Sequence, residues 1–170
     1  MTIHYVDGDA TDPRGGGPKV IAHVCNDAGG WGAGFVLAVS RRWPQPEEAY
    51  RAWHAGRSTP ARDQELVAPR AFGLGSIQIV RIDDQLLVAN MVAQRGYPSR
   101  DGGPAIRYTA LAACLQRLDA ALVPHASVHM PRIGCSLAGG RWEFVEIIIR
   151  EALRGREVYV YDLPGSTYNL

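Results

Sequence analysis

The sequence predicts an α/β sandwich built around a mixed sheet, and three observations carry that prediction. Short apolar runs of strand length alternate with longer stretches whose apolar residues recur at helical spacing. Two of the runs lead through a glycine-rich turn directly into a helical pattern. A hydrophobic content of 46% in 170 residues is enough for one sizeable core. No internal repeat is visible, and residues 1–170 read as a single domain.

Taken in order, residues 3–6 form a first strand, closed by Asp7-Gly8-Asp9-Ala10-Thr11, and residues 12–18 are a loop by composition. Residues 20–25 form the second strand. It runs into Ala28-Gly29-Gly30-Trp31-Gly32-Ala33-Gly34 and a helix over 32–42 that ends near Pro44. A short helix follows over 47–54, then a polar loop over 56–60. Residues 75–80 and 86–92 are two strands joined by a tight turn at Asp83-Asp84.

Residues 94–104 are rich in glycine, arginine and proline, and loops of that length in compact domains are often functional. The clearest helix spans 106–122, with Leu111, Cys114, Leu115, Leu118 and Leu122 on one face. A strand at 127–131 opens a second glycine-rich turn over 132–140. The helix after it carries Val145, Ile148, Ile149 and Ala152 on one face, and residues 157–163 are the last strand.

Composition narrows the partners. A net charge of +1 argues against a strong nonspecific grip on nucleic acid or membrane, while leaving room for a local basic patch. Seventeen of the 18 basic residues are arginine, Lys19 being the exception. Cys25, Cys114 and Cys135 are an odd number without a close pair, which argues against a disulfide framework or zinc site and for a reducing cytoplasm. The N-terminus lacks the features of a signal peptide, and no apolar run approaches the ~20 residues of a membrane span. His54, His125 and His129 show no ligand spacing with a carboxylate, so no metal is expected, and no other cofactor is called for.

A strand, a tight glycine turn and a helix N-terminus expose several backbone N–H groups at one point, which suits a phosphate. The turn over 29–35 is therefore a phosphate-site candidate. It is not a P-loop, because the only lysine precedes the strand, and it is not the dinucleotide fingerprint, because Phe35 stands where the third glycine belongs. In such folds ligands lie beyond the C-terminal ends of strands. Two glycine turns there could hold a diphosphate flanked by sugars, and Asp9 could accept hydrogen bonds from an exocyclic amine such as that of adenine.

Several side chains admit two readings. His23 lies inside a strand and reads as a hydrogen-bonded core histidine rather than a catalyst. The cysteines read as packing. Arg132 could pair with a phosphate or form a structural ion pair. Arg95, Arg100 and Arg107 could greet a phosphorylated or nucleic-acid-linked substrate or make a solvated face. Trp31 could stack on a sugar or base or cap the core, and Trp43, Trp53 and Trp142 read as packing.

At Gly8-Asp9-Ala10-Thr11, His23-Val24-Cys25-Asn26-Asp27, Gly32-Ala33-Gly34, Met130-Pro131-Arg132-Ile133-Gly134-Cys135 and Trp142-Glu143, with the terminal strand, the chain resembles a macrodomain. These pieces cover nearly the whole chain in the right order. The resemblance implies a three-layer α/β/α sandwich with a central mixed sheet that binds ADP-ribose. The chain is most similar to the branch holding the terminal ADP-ribose protein glycohydrolases, bacterial antitoxins that remove ADP-ribose from thymidine in DNA, and ADP-ribose-1″-phosphate phosphatases.

By the same resemblance, Asp9 and Ala10 meet the adenine and Leu163 closes over it. Asn26 faces the distal ribose. Gly32, Ala33, Gly34 and Phe35, with Arg132, Ile133, Gly134, Cys135, Ser136 and Leu137, embrace the diphosphate and that ribose. The branch uses a lysine where this chain has Gln94 and an aspartate where it has Ala138. Glutamine forms no Schiff base and alanine is no base, so a covalent lysine mechanism is excluded. Asn26, to orient the ribose, and Asp27, as general base, remain the catalytic candidates, and Asp27 also reads as a helix-end or turn carboxylate.

The expected function is binding of ADP-ribose and its hydrolysis from acidic protein side chains or from thymidine in DNA. The partners are then ADP-ribose and ADP-ribosylated protein or DNA, with no membrane, and the chain acts as a monomer. The alternatives are a non-catalytic ADP-ribose reader and an ADP-ribose-1″-phosphate phosphatase.

Overall fold

The computed structural model describes residues 2–57, 71–97 and 103–166. Ser58, Thr59 and Pro60 of the expected polar loop, and Arg100 of the expected arginine cluster, lie outside them. The strands are β1 (Thr2–Asp7), β2 (Lys19–Asn26), β3 (Ile77–Arg81), β4 (Leu86–Gln94), β5 (Ser127–Met130) and β6 (Glu157–Asp162). Among the described residues the helices are α1 (Phe35–Arg42), α2 (Gln45–Ala55), α3 (Tyr108–Ala121) and α4 (Trp142–Ala152).

One six-stranded sheet runs in the order β1-β6-β5-β2-β4-β3. All neighbours are parallel except β3, which returns antiparallel to β4 at the edge. That single hairpin makes the sheet mixed, as the tight turn at Asp83-Asp84 predicts. Its Asp83 Oδ1 accepts from the Gln85 N–H at 2.8 Å, the local bond that favours aspartate in a turn.

Side-chain alternation along the central strands divides the core into two layers. Val20 and Ala22 of β2, Ala89, Met91 and Ala93 of β4, and Val128 and Met130 of β5 meet Leu111, Leu115 and Leu118 of α3 and Val145 and Ile149 of α4. Ile21 of β2 and Val88 of β4 face the other way, toward Phe35 and Trp43, and Cys25 meets Val36, Val39 and Tyr50. The result is a three-layer α/β/α sandwich.

Element bounds differ from the sequence reading in two informative places. The first helix begins at Phe35 rather than at residue 32, because Gly34 sits at φ 82°, ψ −149°, a conformation that cannot enter a helix. β4 extends to Gln94, which places that residue on a strand end rather than in the following loop.

Candidate functional site

β5 and β2 are adjacent and parallel, so their C-terminal ends lie side by side. The helices that follow them leave to opposite faces: α1 covers the Ile21 side and α4 covers the Val20 side. A crevice must open where the two connections part, which is the place ligands occupy in open α/β sheets. An open cleft of about 520 Å³, mouth included, lies there. Ala33, Gly34, Phe35 and Val36 form one wall, Ile133, Gly134, Ser136, Leu137 and Ala138 the other, and His23, Val24 and Gln94 also line it.

The first wall is the start of α1. No side chain caps its N-terminus and its first turn holds no acidic residue, so its leading N–H groups and dipole are available to an anion. The second wall is shaped by glycine. Gly134 has φ 74°, and a Cβ there would stand 2.9 Å from Ile106 Cδ1. The carbonyl of Ala138 accepts from the N–H groups of Ala105 and Ile106 at 2.9 and 3.1 Å, which ties this wall to the segment before α3.

Asn26 braces the first turn from within. Its Oδ1 accepts from the N–H of Ala28 at 2.9 Å and of Gly30 at 3.1 Å, and its Nδ2 donates to the Gly30 carbonyl at 2.9 Å. The buried Tyr50 hydroxyl lies 2.7 Å from the Asn26 carbonyl and 3.0 Å from its Oδ1. Asp27 Oδ1 accepts from the Gly96 N–H at 2.7 Å, and the Asp27 N–H donates to the Gln94 carbonyl at 2.9 Å. Neither Asn26 nor Asp27 lines this cleft.

The remaining expected site residues divide. Of the ten expected to surround the diphosphate, Ala33, Gly34, Phe35, Ile133, Gly134, Ser136 and Leu137 line the cleft together, while Gly32, Arg132 and Cys135 do not. Asp9 Oδ1 accepts from the N–H and hydroxyl of Thr11 at 2.8 and 2.7 Å, and Ala10 behind it is buried. Leu163 follows β6 and is exposed.

Arg132 makes the structural ion pair. Its Nε and a terminal nitrogen each lie 2.8 Å from one oxygen of Asp162, and its guanidinium sits 4.8 Å from the Tyr5 ring centre and 4.9 Å from that of Trp142. Trp31 caps the core, its Nε1 donating to Ser40 Oγ at 2.7 Å. His23 is a core histidine at the cleft floor, its Nε2 at 2.6 Å from Asn90 Oδ1. Burial lowers its pKa to about 4, so the ring is neutral near pH 7. Burial likewise raises the Cys135 thiol to about 11, which leaves it a poor nucleophile.

The sequence reading missed the Tyr5–Arg132–Trp142 stack, the Tyr50 brace and the Asp27–Gly96 contact. Each joins residues far apart in the chain, so no local pattern announces it. Side chains lining the cleft carry no ionised group among the described residues.

No family model matches the chain. A solved macrodomain protein from Streptomyces coelicolor is 50% identical, with a TM-score of 0.75 over 95% of this chain and 99% of that one. An ADP-ribose 1″-phosphate phosphatase from Chaetomium globosum is 30% identical over 86% of this chain and 80% of its own length. The chromodomain-helicase-DNA-binding protein 1-like of Mus musculus is 34% identical over 97% of this chain, which spans only 18% of that protein. A Thermosipho africanus DarTG in complex with ADP-ribose shares the fold at 14% identity, with a TM-score of 0.63 over 89% of this chain and 39% of that one.

Proposed function

Since the chain belongs to the macrodomain family, we propose that it binds ADP-ribose across the cleft between its two glycine turns and hydrolyses it from acidic protein side chains. The observation that carries this reading is the cleft itself, with an uncapped helix start on one wall, a glycine-shaped turn on the other and, among the described residues, no ionised side chain lining it. Backbone N–H groups of the first wall hold the diphosphate, whose charge needs no lysine there. Asp9 and Ala10 receive the adenine, Leu163 covers it, and the second wall encloses the distal ribose. The free cysteines fit a reducing cytoplasm.

An uncharged reaction site selects the bond it can break. Among the described residues the cleft lining offers no acid to protonate a leaving group, so departure must be easy unaided. A carboxylate, the anion of an acid of pKa about 4, leaves readily from the anomeric carbon. Thymidine is a far weaker acid and leaves poorly, which ranks the DNA linkage below the ester. Phosphate also departs readily, so phosphatase action on ADP-ribose-1″-phosphate is the second reading, favoured by the Chaetomium globosum relative.

The test is release of free ADP-ribose from a carboxylate-linked protein, beside a thymidine-linked oligonucleotide and ADP-ribose-1″-phosphate. Release from the protein ester is expected. Release of inorganic phosphate alone selects the phosphatase, and tight ADP-ribose binding with no release from any substrate makes the chain a reader.

A further inference from the structure

Gln94 is the last residue of β4, half-buried and lining the cleft. Its Nε2 donates to the Gly96 carbonyl at 2.9 Å, which fixes the rotation of the carboxamide. The other end of that amide, Oε1, has no hydrogen-bond partner among the described residues. The N–H of Gly96 donates to Asp27 Oδ1 at 2.7 Å, while the Asp27 N–H donates to the Gln94 carbonyl at 2.9 Å. Gln94, Gly96 and Asp27 therefore form one closed ring of three hydrogen bonds. Gly96 has φ +60°, the left-handed turn that brings its carbonyl back to the Gln94 side chain.

The other polar side chains lining the cleft are less suited to hold a water. His23 has Nε2 committed to Asn90 and Nδ1 facing the Cys25 sulfur at 4.0 Å, and Ser136 stands exposed. We propose that Gln94 is a catalytic residue that holds the attacking water by its carboxamide oxygen, and that Asp27 is a positioning residue acting through Gly96.

This assignment rests on the ester-hydrolase reading above and deepens it. The water oxygen bonds to the anomeric carbon of the distal ribose. The bond from that carbon to the acyl oxygen breaks, its electron pair departs on the carboxylate, and the surplus proton passes to solvent. A carboxamide accepts a hydrogen bond without taking the proton, so Gln94 orients the nucleophile and removes nothing from it.

The experiment measures kcat and KM on the carboxylate-linked protein, and ADP-ribose affinity by calorimetry, for the unaltered chain and four variants. Gln94→Leu is expected to lower kcat about 10²-fold, the order that misplacing a reactant brings, with affinity within about twofold. Gln94→Glu keeps an accepting oxygen and adds a base. It recovers part of kcat and gains a rate that rises with pH through the carboxylate range, which the unaltered chain lacks. Asp27→Ala lowers kcat, and Asp27→Asn, whose carboxamide oxygen accepts the same Gly96 N–H, recovers it.

Unchanged kcat in Gln94→Leu, or a loss of affinity equal to the loss of kcat, overturns the Gln94 assignment alone. Equal losses in Asp27→Ala and Asp27→Asn overturn the positioning role. An unaltered chain that binds ADP-ribose but releases none overturns the hydrolase reading and this inference together.

Discussion

Leu137 reaches across the cleft to Gly34, so near that a Cβ at Gly34 would stand 3.0 Å from its Cδ1. The two walls touch at this point, and glycine is what lets them. Leu137 is half exposed and flexible enough to shift, so the contact itself is a small obstacle. The backbone at φ 82°, ψ −149° is the larger one. Gly34→Ala is expected to destabilise the chain by roughly 1–3 kcal/mol and to weaken ADP-ribose binding about tenfold or more. Urea unfolding and calorimetry measure the two effects.

Two buried histidines make stability depend on acid. Burial lowers both His23 and His129 to about 4, below the ordinary 6.5. The unfolded chain therefore binds more protons than the folded one between these values. Stability is full above about pH 6.5 and declines as pH falls toward 4, by up to about 3 kcal/mol per histidine. Urea midpoints at pH 7 and pH 5 check this, and a flat profile would refute it. His129→Gln should flatten part of the decline.

Removing Arg132 should disturb the fold before it disturbs the chemistry. Its side chain is 9% exposed and that of Asp162 20%, so Arg132→Ala leaves a largely buried carboxylate without its partner. A loss of about 2–4 kcal/mol is expected. Arg132→Lys keeps the charge without the fork that meets both oxygens, and recovers only part. A double-mutant cycle with Asp162→Ala isolates the pair, and a coupling near zero would contradict the geometry.

Tyr50→Phe deletes one hydroxyl and nothing else. It removes the contacts to the Asn26 carbonyl and Oδ1, at about 1–2 kcal/mol for hydrogen bonds of this kind. Hydrogen exchange at Ala28 and Gly30, whose N–H groups Asn26 holds, should quicken in the variant while the α3 amides remain protected.

Much of the fold was legible because it is written in local periods. The apolar stripe of α3 and the alternation along β2 and β4 each need only a short window to be seen. The two glycine turns were equally visible, and they do form the cleft walls. The partners of Asn26, Asp27 and Arg132 were not visible, although a structural ion pair was one of the two readings for Arg132. Their side chains meet Tyr50, Gly96 and Asp162, partners 24 to 69 residues away, and only the sheet order brings them together. Its neighbours in the chain leave Asp27 either a turn residue or a general base. Its bond to the Gly96 N–H shows the carboxylate engaged with the backbone of another loop.

The bonds that Asn26 makes to Ala28 and Gly30 have a consequence for the speed of recognition. The first turn holds its shape through its own chain, so a ligand has little left to order on arrival. Association should then be a single second-order step without a slow isomerisation phase, and differences in affinity among ligands should lie in how fast they leave.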